Sequence, residues 1–159
     1  MNENTLNLVS HLNYKMSIGM LNLSPEGLLK SFKLRLTPCR QEVISLFIDV
    51  DYALSNSSLE EKVGKDYDRV TIYRTLRTFL DKGIIHKVLD DEGTPKYALC
   101  REACDTHDHN HDHIHFKCLE CGETNCIESV IIPKLNLPDG YKYKEANVLL
   151  QGICKECNA

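Results

Sequence analysis

The cysteines of this chain are arranged in a pattern that indicates metal binding. Two Cys-x-x-Cys pairs, Cys118 with Cys121 and Cys154 with Cys157, are separated by 32 residues. Four thiolates in two such pairs match the tetrahedral sulfur coordination of structural zinc sites. A redox dithiol would need a thioredoxin-like βαβ pattern, which the sequence lacks. We therefore predict that these four cysteines hold one structural zinc ion.

Other metal-ligating residue types are concentrated in the same part of the chain. Seven of the eight cysteines and five of the seven histidines lie within the last 60 residues. An extended strand would place the five histidines on one face: His107, His109, His111, His113 and His115. The alternation fits either a metal-collecting strip or a solvated linker in which only the last two are structured. The linker is favoured for His107 and His109, while His111 and Cys104 are alternative ligands.

The composition predicts a cytoplasmic protein with one medium domain or two small ones. The 159 residues are 42% hydrophobic, and no apolar run is long enough to span a membrane. The N-terminus lacks the basic start and apolar stretch of a signal peptide, so a reducing compartment is expected. Cysteines bind metal there more often than they form disulfides, although Cys39 is expected to be a small buried hydrophobe.

Charge is distributed unevenly along the chain. The net charge is −4, but residues 1–100 contain 13 basic and 13 acidic residues, whereas residues 101–159 contain 6 and 10. DNA binding requires a local basic surface rather than a basic total. The first hundred residues are therefore compatible with a nucleic-acid partner, and bound cations would offset part of the acidic excess.

Helix-start signals recur between residues 23 and 83. Ser24-Pro25 and Thr37-Pro38 each place an N-cap before a proline at the first helical position. Ser57 and Glu60 have the spacing of a capping box for a third, short helix. A fourth helix is predicted from an N-cap at Asp68 to Lys82, with Gly83 as its stop. Residues 1–22 are polar and are expected to form an arm or a short extra helix.

Strand-like runs follow these helices. Residues 84–89 and 96–99 are predicted to pair as a hairpin around a turn at 90–93. Short helices followed by a hairpin predict a winged helix-turn-helix over residues 23–100, with a generic small α+β domain as the alternative. Residues 101–112 form a His-rich linker. Residues 113–159, with strand-like runs at 113–117, 124–127 and 147–153, form a domain that needs a metal or a partner chain for stability.

The fourth predicted helix is amphipathic. Ile72, Leu76, Phe79 and Leu80 share one face by helical spacing. The other side carries small and basic residues that suit contact with base edges and phosphates, and they are Arg69, Thr71, Arg74, Arg77 and Thr78. An ordinary solvated face would look similar. The position between a short capped helix and a wing favours DNA recognition.

Several of these segments resemble the ferric uptake regulator family in order and spacing. They are Leu36-Thr37-Pro38-Cys39-Arg40, Arg69-Val70-Thr71-Ile72-Tyr73-Arg74-Thr75-Leu76, Lys82-Gly83-Ile84-Ile85 and His113-x-His115-x-x-Cys118-x-x-Cys121-Gly122. The resemblance implies a dimeric repressor with an N-terminal winged helix and a C-terminal α+β dimerisation domain, in which bound metal promotes operator binding. It also implies DNA contacts by Tyr73 and Arg74 and a phosphate-side contact by Arg40.

The resemblance is closest to the zinc-sensing branch of that family, because residues 83–88 and 96–100, which include His86 and Cys100, look like the wing of zinc uptake regulators. It implies a regulatory metal site formed by His86, Cys100, His113 and His115, with Cys126 replacing a carboxylate that the family often has. Thiolate and imidazole ligands favour zinc for this second divalent cation, with iron(II) as the runner-up. Ala98 stands where iron-sensing members of the family usually have a glutamate. Ile114, Pro133 and Ala146 stand near positions that elsewhere supply a further metal site, which argues against such a site here.

These observations predict an α+β, metal-responsive repressor that senses zinc, controls metal uptake genes and binds a pseudo-palindromic double-stranded DNA operator as a homodimer. An iron-, peroxide- or haem-responsive regulator is an alternative within the family. A zinc-binding interaction protein or metal buffer without operator binding is the alternative from another class. An enzyme is not expected, since no nucleophile–base arrangement or phosphate loop appears and no histidine has the His-x-Glu spacing of zinc deaminases. Neither a membrane partner nor a small-molecule substrate is predicted.

Overall fold

The computed structural model describes residues 24–88, 93–100, 113–127, 129–130, 132, 135–142 and 146–159. Several predictions fall outside these residues. They concern the N-terminal arm, the turn of the wing at 90–92, Pro133, and the linker with Cys104, His107, His109 and His111. None of the described helices is both long and apolar enough to cross a membrane.

Residues 24–88 contain four helices: α1 (Pro25–Ser31), α2 (Pro38–Asp49), α3 (Asn56–Val63) and α4 (Arg69–Asp81). Three predicted N-caps are confirmed. Ser24 Oγ accepts the Gly27 N–H at 3.1 Å, Thr37 Oγ1 accepts the Arg40 N–H at 3.4 Å, and Asp68 Oδ1 accepts the Thr71 N–H at 2.8 Å. Each cap satisfies a backbone donor that has no partner within its helix.

The predicted start of α3 was wrong by two residues. The N-cap is Ser55, whose backbone is extended and whose Oγ accepts the Ser58 N–H at 3.1 Å. Ser57 lies inside the helix, and its hydroxyl is 2.8 Å from Ser55 Oγ. Residues 55–58 are four consecutive hydroxyl-bearing or amide side chains that can cap a helix. Pairing of β1 keeps Ser55 extended, so Ser55 is the one that becomes the N-cap.

A three-stranded antiparallel sheet completes this part, with β1 (Leu54–Ser55), β2 (Ile85–Val88) and β3 (Lys96–Leu99) in the order β1-β3-β2. The β2–β3 hairpin was predicted, whereas β1 was not, because two residues are too few to show a strand period. With α3 and α4 before it, the hairpin forms the wing of a winged helix-turn-helix. The predicted fold class is therefore confirmed.

The core of this part lies between α2, α4 and the wing. Three of the four predicted apolar residues of α4 are buried, namely Ile72, Leu76 and Phe79, while Leu80 is partly buried. They pack in one cluster with side chains from α1, α2, α3 and β2, including Leu29, Val43, Ile44, Phe47, Leu59 and Ile85. Truncating either buried phenylalanine to alanine would cost about 3–5 kcal/mol, so this cluster holds α4 rigidly on the scaffold.

A second three-stranded sheet lies in the C-terminal part, with β4 (Ile114–Cys118), β5 (Thr124–Ile127) and β6 (Val148–Gly152) in the order β5-β4-β6. β4 pairs with β5 in an antiparallel hairpin and with β6 in parallel. Because parallel neighbours run in the same direction, the carboxyl ends of β4 and β6 meet at one edge of the sheet.

The two sheets are connected by a short backbone bridge. The Ala53 N–H donates to Thr124 O at 2.8 Å, and Tyr52 forms an antiparallel bridge with Asn125. The Asn125 side chain also donates to Asp51 O at 3.4 Å. The segment that precedes β1 therefore extends the second sheet beyond β5.

Candidate metal centres and nucleic-acid interface

The first candidate centre brings together the four cysteines of the two Cys-x-x-Cys pairs. Cys118 ends β4, and Cys154 follows β6 by two residues, so parallel pairing of these strands places both turns at one edge. The four sulfur atoms lie within 4.8 Å of one another. The edge of a tetrahedral ZnS₄ site is about 3.8 Å for a Zn–S distance of about 2.3 Å. A modest contraction would bring all four sulfurs to one ion, so the donor set fits zinc.

Backbone donors favour a thiolate at Cys118. The N–H groups of Cys121 and Cys154 lower the pKa of Cys118 to about 6, and the Cys154 N–H lies 3.4 Å from its sulfur. Hydrogen bonding to Cys154, together with partial desolvation of the thiol, raises the pKa of Cys157 to about 12. At Cys121 the Glu123 N–H lowers the pKa, but burial and bonding to Cys118 outweigh it and the net pKa is raised. The metal-free cluster thus holds its negative charge on Cys118 while Cys121 and Cys157 stay protonated.

The second candidate centre lies between the wing and the second sheet. His86 comes from β2, His115 from β4, and His113 from the residue before β4. Cys126 on β5 lies directly opposite His115 in the antiparallel register. One ligand atom from each of these four residues lies within 4.8 Å of the other three, and His86 and His115 are buried.

The spacing in this second cluster matches a tetrahedral metal site. His86 Nε2 lies 3.4 Å from His115 Nε2 and 3.4 Å from Cys126 Sγ. For zinc at usual bond lengths, the nitrogen–nitrogen edge of a tetrahedron is about 3.3 Å and the nitrogen–sulfur edge about 3.6 Å. Three imidazoles and a thiol suit zinc, whereas oxygen-rich sites suit manganese.

Cys100, which is predicted from the sequence to be a ligand of this site, lies beside the cluster. Its sulfur lies 3.4 Å from His86 Nδ1, on the other side of the ring from Cys126. The structure therefore groups Cys126 with the three histidines and places Cys100 beside them. The β4–β5 register is a local signal in the sequence, because the turn between the strands holds the first Cys-x-x-Cys pair, and it pairs Cys126 with His115. The contact of Cys126 with His86 depends on how the two sheets meet.

The candidate nucleic-acid interface is the outer face of α4. Tyr73 is 56% exposed and Val70 is 55% exposed, and Arg74 and Arg77 are also exposed. Thr71 is half-buried, and its hydroxyl donates to Asp68 at 3.0 Å. Hydrogen bonds from the Thr71 backbone and hydroxyl lower the pKa of Asp68, so the N-cap stays ionised. Of the residues predicted to contact DNA, only Arg40 lies outside α4.

The basic residues of this surface differ in their partners. Arg69 contacts Glu60 at 3.0 Å, and Arg77 contacts Asp81 at 3.1 Å. Within the described part of the chain, no ion pair includes Arg74. Arg40 is half-buried in the first turn of α2 and donates to Arg35 O at 3.2 Å. Arg74 is thus the basic side chain of α4 that can reach a ligand without breaking an ion pair.

The chain is similar to known proteins over most of its length. The sequence profile of the ferric uptake regulator family matches residues 31–151. The ferric uptake regulation protein of Staphylococcus epidermidis is 33% identical over 134 residues, which cover 81% of this chain and 90% of that protein. The corresponding protein of Staphylococcus aureus is 31% identical over 135 residues, which cover 82% and 93%.

Solved structures show the same fold. A zinc uptake regulator in complex with zinc and DNA has a TM-score of 0.57 and 26% identity, covering 84% of this chain and 89% of that one. A zinc-bound manganese uptake regulator has a TM-score of 0.56 and 20% identity, covering 82% and 98%. Together with the profile match over most of its length, these similarities show that the chain belongs to the ferric uptake regulator family.

Proposed function

We propose that this protein is a zinc-responsive repressor that binds a pseudo-palindromic DNA operator as a homodimer and controls metal uptake genes. The observation that carries the proposal is the cluster of His86, His113, His115 and Cys126. It joins the wing of the DNA-binding part to the second sheet. A bound zinc ion would supply a cross-link between these two parts.

The donor chemistry supports zinc as the sensed metal. The cluster offers imidazole nitrogens and a thiol, and Ala98, across β2–β3 from His86, provides no carboxylate. Such a set favours zinc over manganese. Iron(II) is the second choice, since relatives of this chain are ferric uptake regulation proteins.

The exposed face of α4 supports DNA recognition. Tyr73 and Arg74 project from a helix whose other face is buried in the core. A recognition helix of this kind reads base edges in the major groove while flanking groups contact phosphates. We assign the base-proximal role to Thr71, Tyr73 and Arg74, and the phosphate-side role to Arg40, Arg69 and Arg77.

The C-terminal part supports homodimer formation. β6 lies at an edge of its sheet and exposes Leu150, and Ile153 follows it with half of its surface exposed. Edge strands with exposed apolar side chains are sites of pairing with another chain. In a homodimer, each subunit would present one α4 helix to the operator.

Metal control follows from this geometry. Two recognition helices must match half-sites about 34–36 Å apart. The angle between the wing and the second sheet sets that separation, and ligands from both sides of the cluster fix the angle. Without metal, only a fraction of molecules has the matching separation, and the apparent affinity falls by that fraction.

The test is a metal titration of operator binding by the whole chain, with its four-cysteine centre filled by zinc and its second centre free of metal at the start. Operator sequences are first selected from a random DNA library in the presence of zinc, and affinity is then measured anaerobically with added zinc, iron(II) or manganese. We expect zinc to raise the affinity at the lowest free concentration. Activation by iron(II) at lower free concentration would reassign the signal, and failure to select any DNA would overturn the repressor proposal.

A further inference from the structure

We propose that Cys126 supplies the metal-bound sulfur of the sensing site and sets its metal preference, while Cys100 is a positioning residue that acts through His86. This inference rests on the function proposed above and refines the site that carries it. The observation behind it is the placement of the two sulfurs on opposite sides of one imidazole ring.

The two nitrogens of His86 face different surroundings. Nδ1 lies 3.4 Å from Cys100 Sγ, and Nε2 lies 3.4 Å from Cys126 Sγ. The lone pairs of an imidazole diverge from the ring, so an ion bound to one nitrogen is out of reach of a group that contacts the other. A single ion on His86 can therefore take Cys126 or Cys100 as its sulfur ligand, but not both.

The positions of the remaining donors indicate which nitrogen of His86 binds the ion. His115 Nε2 lies 3.4 Å from His86 Nε2, the same nitrogen that faces Cys126. His113 belongs to this group as well, with its ring centroid 5.1 Å from that of His86 and 4.9 Å from that of His115. Donors from three other residues thus group with Nε2 of His86, which assigns the ion to Nε2 and the sulfur ligand to Cys126.

Backbone pairing explains why the two cysteines differ. The Cys100 N–H donates to Ile84 O at 2.9 Å, so Cys100 belongs to the same hairpin as His86. Cys126 lies on β5, in the second sheet, opposite His115. A metal–Cys126 bond would join the wing to β5, whereas a metal–Cys100 bond would stay within the wing.

Contact with Nδ1 gives Cys100 a positioning role. A histidine that binds metal through Nε2 usually donates its Nδ1 hydrogen to a neighbouring acceptor, which fixes the tautomer and the ring orientation. The Cys100 sulfur is at a suitable distance for this contact. Loss of such a partner typically lowers metal affinity about 10–100-fold without removing a ligand.

Cys126 also determines which metals the site prefers. Thiolate ligands select zinc and other soft ions, whereas carboxylates suit manganese and iron(II) better. Cys126→Asp should therefore lower zinc affinity and narrow the preference for zinc over manganese. Because the change lies on β5 and leaves the three histidines in place, we expect the site to keep binding divalent metal.

Cobalt(II) absorption distinguishes the two sulfurs. The full-length protein, with its four-cysteine centre filled by zinc, is titrated with cobalt(II), and the near-ultraviolet thiolate-to-cobalt band is recorded for Cys100→Ala and Cys126→Ser. We expect Cys100→Ala to keep the band with about 10–100-fold weaker cobalt affinity, and Cys126→Ser to lose the band. Zinc content and oligomeric state establish that each variant is folded. If Cys126→Ser does not fold, Cys126→Asp replaces it in the titration.

Three results would overturn the assignment: loss of the band only in Cys100→Ala, loss in both variants, or retention in both. These outcomes differ from failure of the proposed function. In that case the parent protein itself would bind no cobalt beyond its filled centre, or would show no metal-dependent operator affinity.

Discussion

At the scale of single residues, the four-cysteine centre is defined by sulfur atoms that converge from two turns. Cys118 is fully buried at the end of β4, while Cys121 and Cys157 are exposed. A small sheet with an open edge gains much of its stability from such a metal, because binding free energy is folding free energy. Loss of one ligand should therefore affect both metal content and structure.

We expect Cys154→Ser to lose the structural zinc and to become monomeric or poorly folded. The measurements are zinc per chain by elemental analysis and mass in solution by light scattering. Lys155→Ala is the matched control, because it changes an exposed side chain in the same turn and should keep both zinc and dimer. A Cys154→Ser protein with full zinc content and an unchanged dimer would contradict the assignment of this centre.

The pKa values of the same cysteines predict how zinc binding couples to protons. Cys118 is already a thiolate at neutral pH, while the raised pKa values of Cys121 and Cys157 keep those thiols protonated until metal binds. Zinc binding near pH 7 should therefore release a number of protons that includes those of Cys121 and Cys157. Calorimetry in buffers of different ionisation enthalpy measures this number, and release of no protons would contradict the assigned charge state.

The sign of the pH dependence follows for Cys118. Its pKa in the folded protein is about 6, below the ordinary value of 9.0. Its stabilising contribution is therefore fully present above pH 9 and is lost as the pH falls through about 6. Unfolding of the metal-free protein followed between pH 5 and pH 9 should show stability rising with pH. A flat profile would contradict this cause.

At the scale of elements, α4 is an amphipathic helix with one buried and one exposed face. Its N-cap and its buried face were predictable because caps and helical periodicity are local features of sequence. The Arg77–Asp81 pair is local as well, because the two residues lie one turn apart on the same helix. The partner of Arg69 was not predictable, since Glu60 comes within reach of it only once α3 and α4 are placed. This placement leaves Arg74 as the strongest candidate for a base contact.

We expect Arg74→Ala to weaken specific operator binding by about 1–3 kcal/mol, or roughly 5–150-fold, while the fold is unchanged. Fluorescence anisotropy with operator and with unrelated DNA separates specific from general binding. Lys142→Ala removes the same charge from an exposed position in the C-terminal part and serves as the control. Equal losses in the two variants would show that Arg74 contributes only general charge.

The bridge between Tyr52–Ala53 and β5 is the second element that bears on control. Ala53→Pro removes the N–H that donates to Thr124 O, and it also adds a ring to the buried cluster of Ala53, Val88 and Ala98, so the hydrogen bond is the smallest part of the expected loss. The lost hydrogen bond alone, of about 0.5–1.5 kcal/mol, should weaken zinc-dependent operator binding about 2–13-fold. Ala53→Gly keeps the donor and should stay near the parent in the same anisotropy assay. Equal affinity of both variants would remove this bridge from the mechanism.

At the scale of the whole molecule, local and non-local features differ in how far sequence predicts them. The helices, the wing strands and the four-cysteine centre follow from caps, periodicity and Cys-x-x-Cys spacing. The two-residue β1, the parallel pairing of β4 with β6 and the bridge at Ala53 depend on contacts between distant segments. The identity of the sulfur ligand in the second centre also depends on contacts between distant segments, because the packing of the two sheets sets which nitrogen of His86 faces the other donors.

The whole-molecule mechanism requires that metal and operator select the same arrangement of the two sheets. Linkage then demands that operator raise the zinc affinity of the second centre by the same factor by which zinc raises operator affinity. This reciprocity is independent of how fast either ligand binds. A measured reciprocal effect would also exclude a role for zinc that is limited to folding, because the four-cysteine centre is filled with zinc in every measurement.

The most direct test is the zinc affinity of the second centre, measured by competition with a fluorescent chelator in the presence and absence of saturating operator. A coupling of about 1–3 kcal/mol would tighten zinc binding about 5–150-fold when operator is present, and His115→Ala should abolish this difference. Identical zinc affinities with and without operator, in a parent protein that binds the operator, would contradict the claim that this centre controls DNA binding.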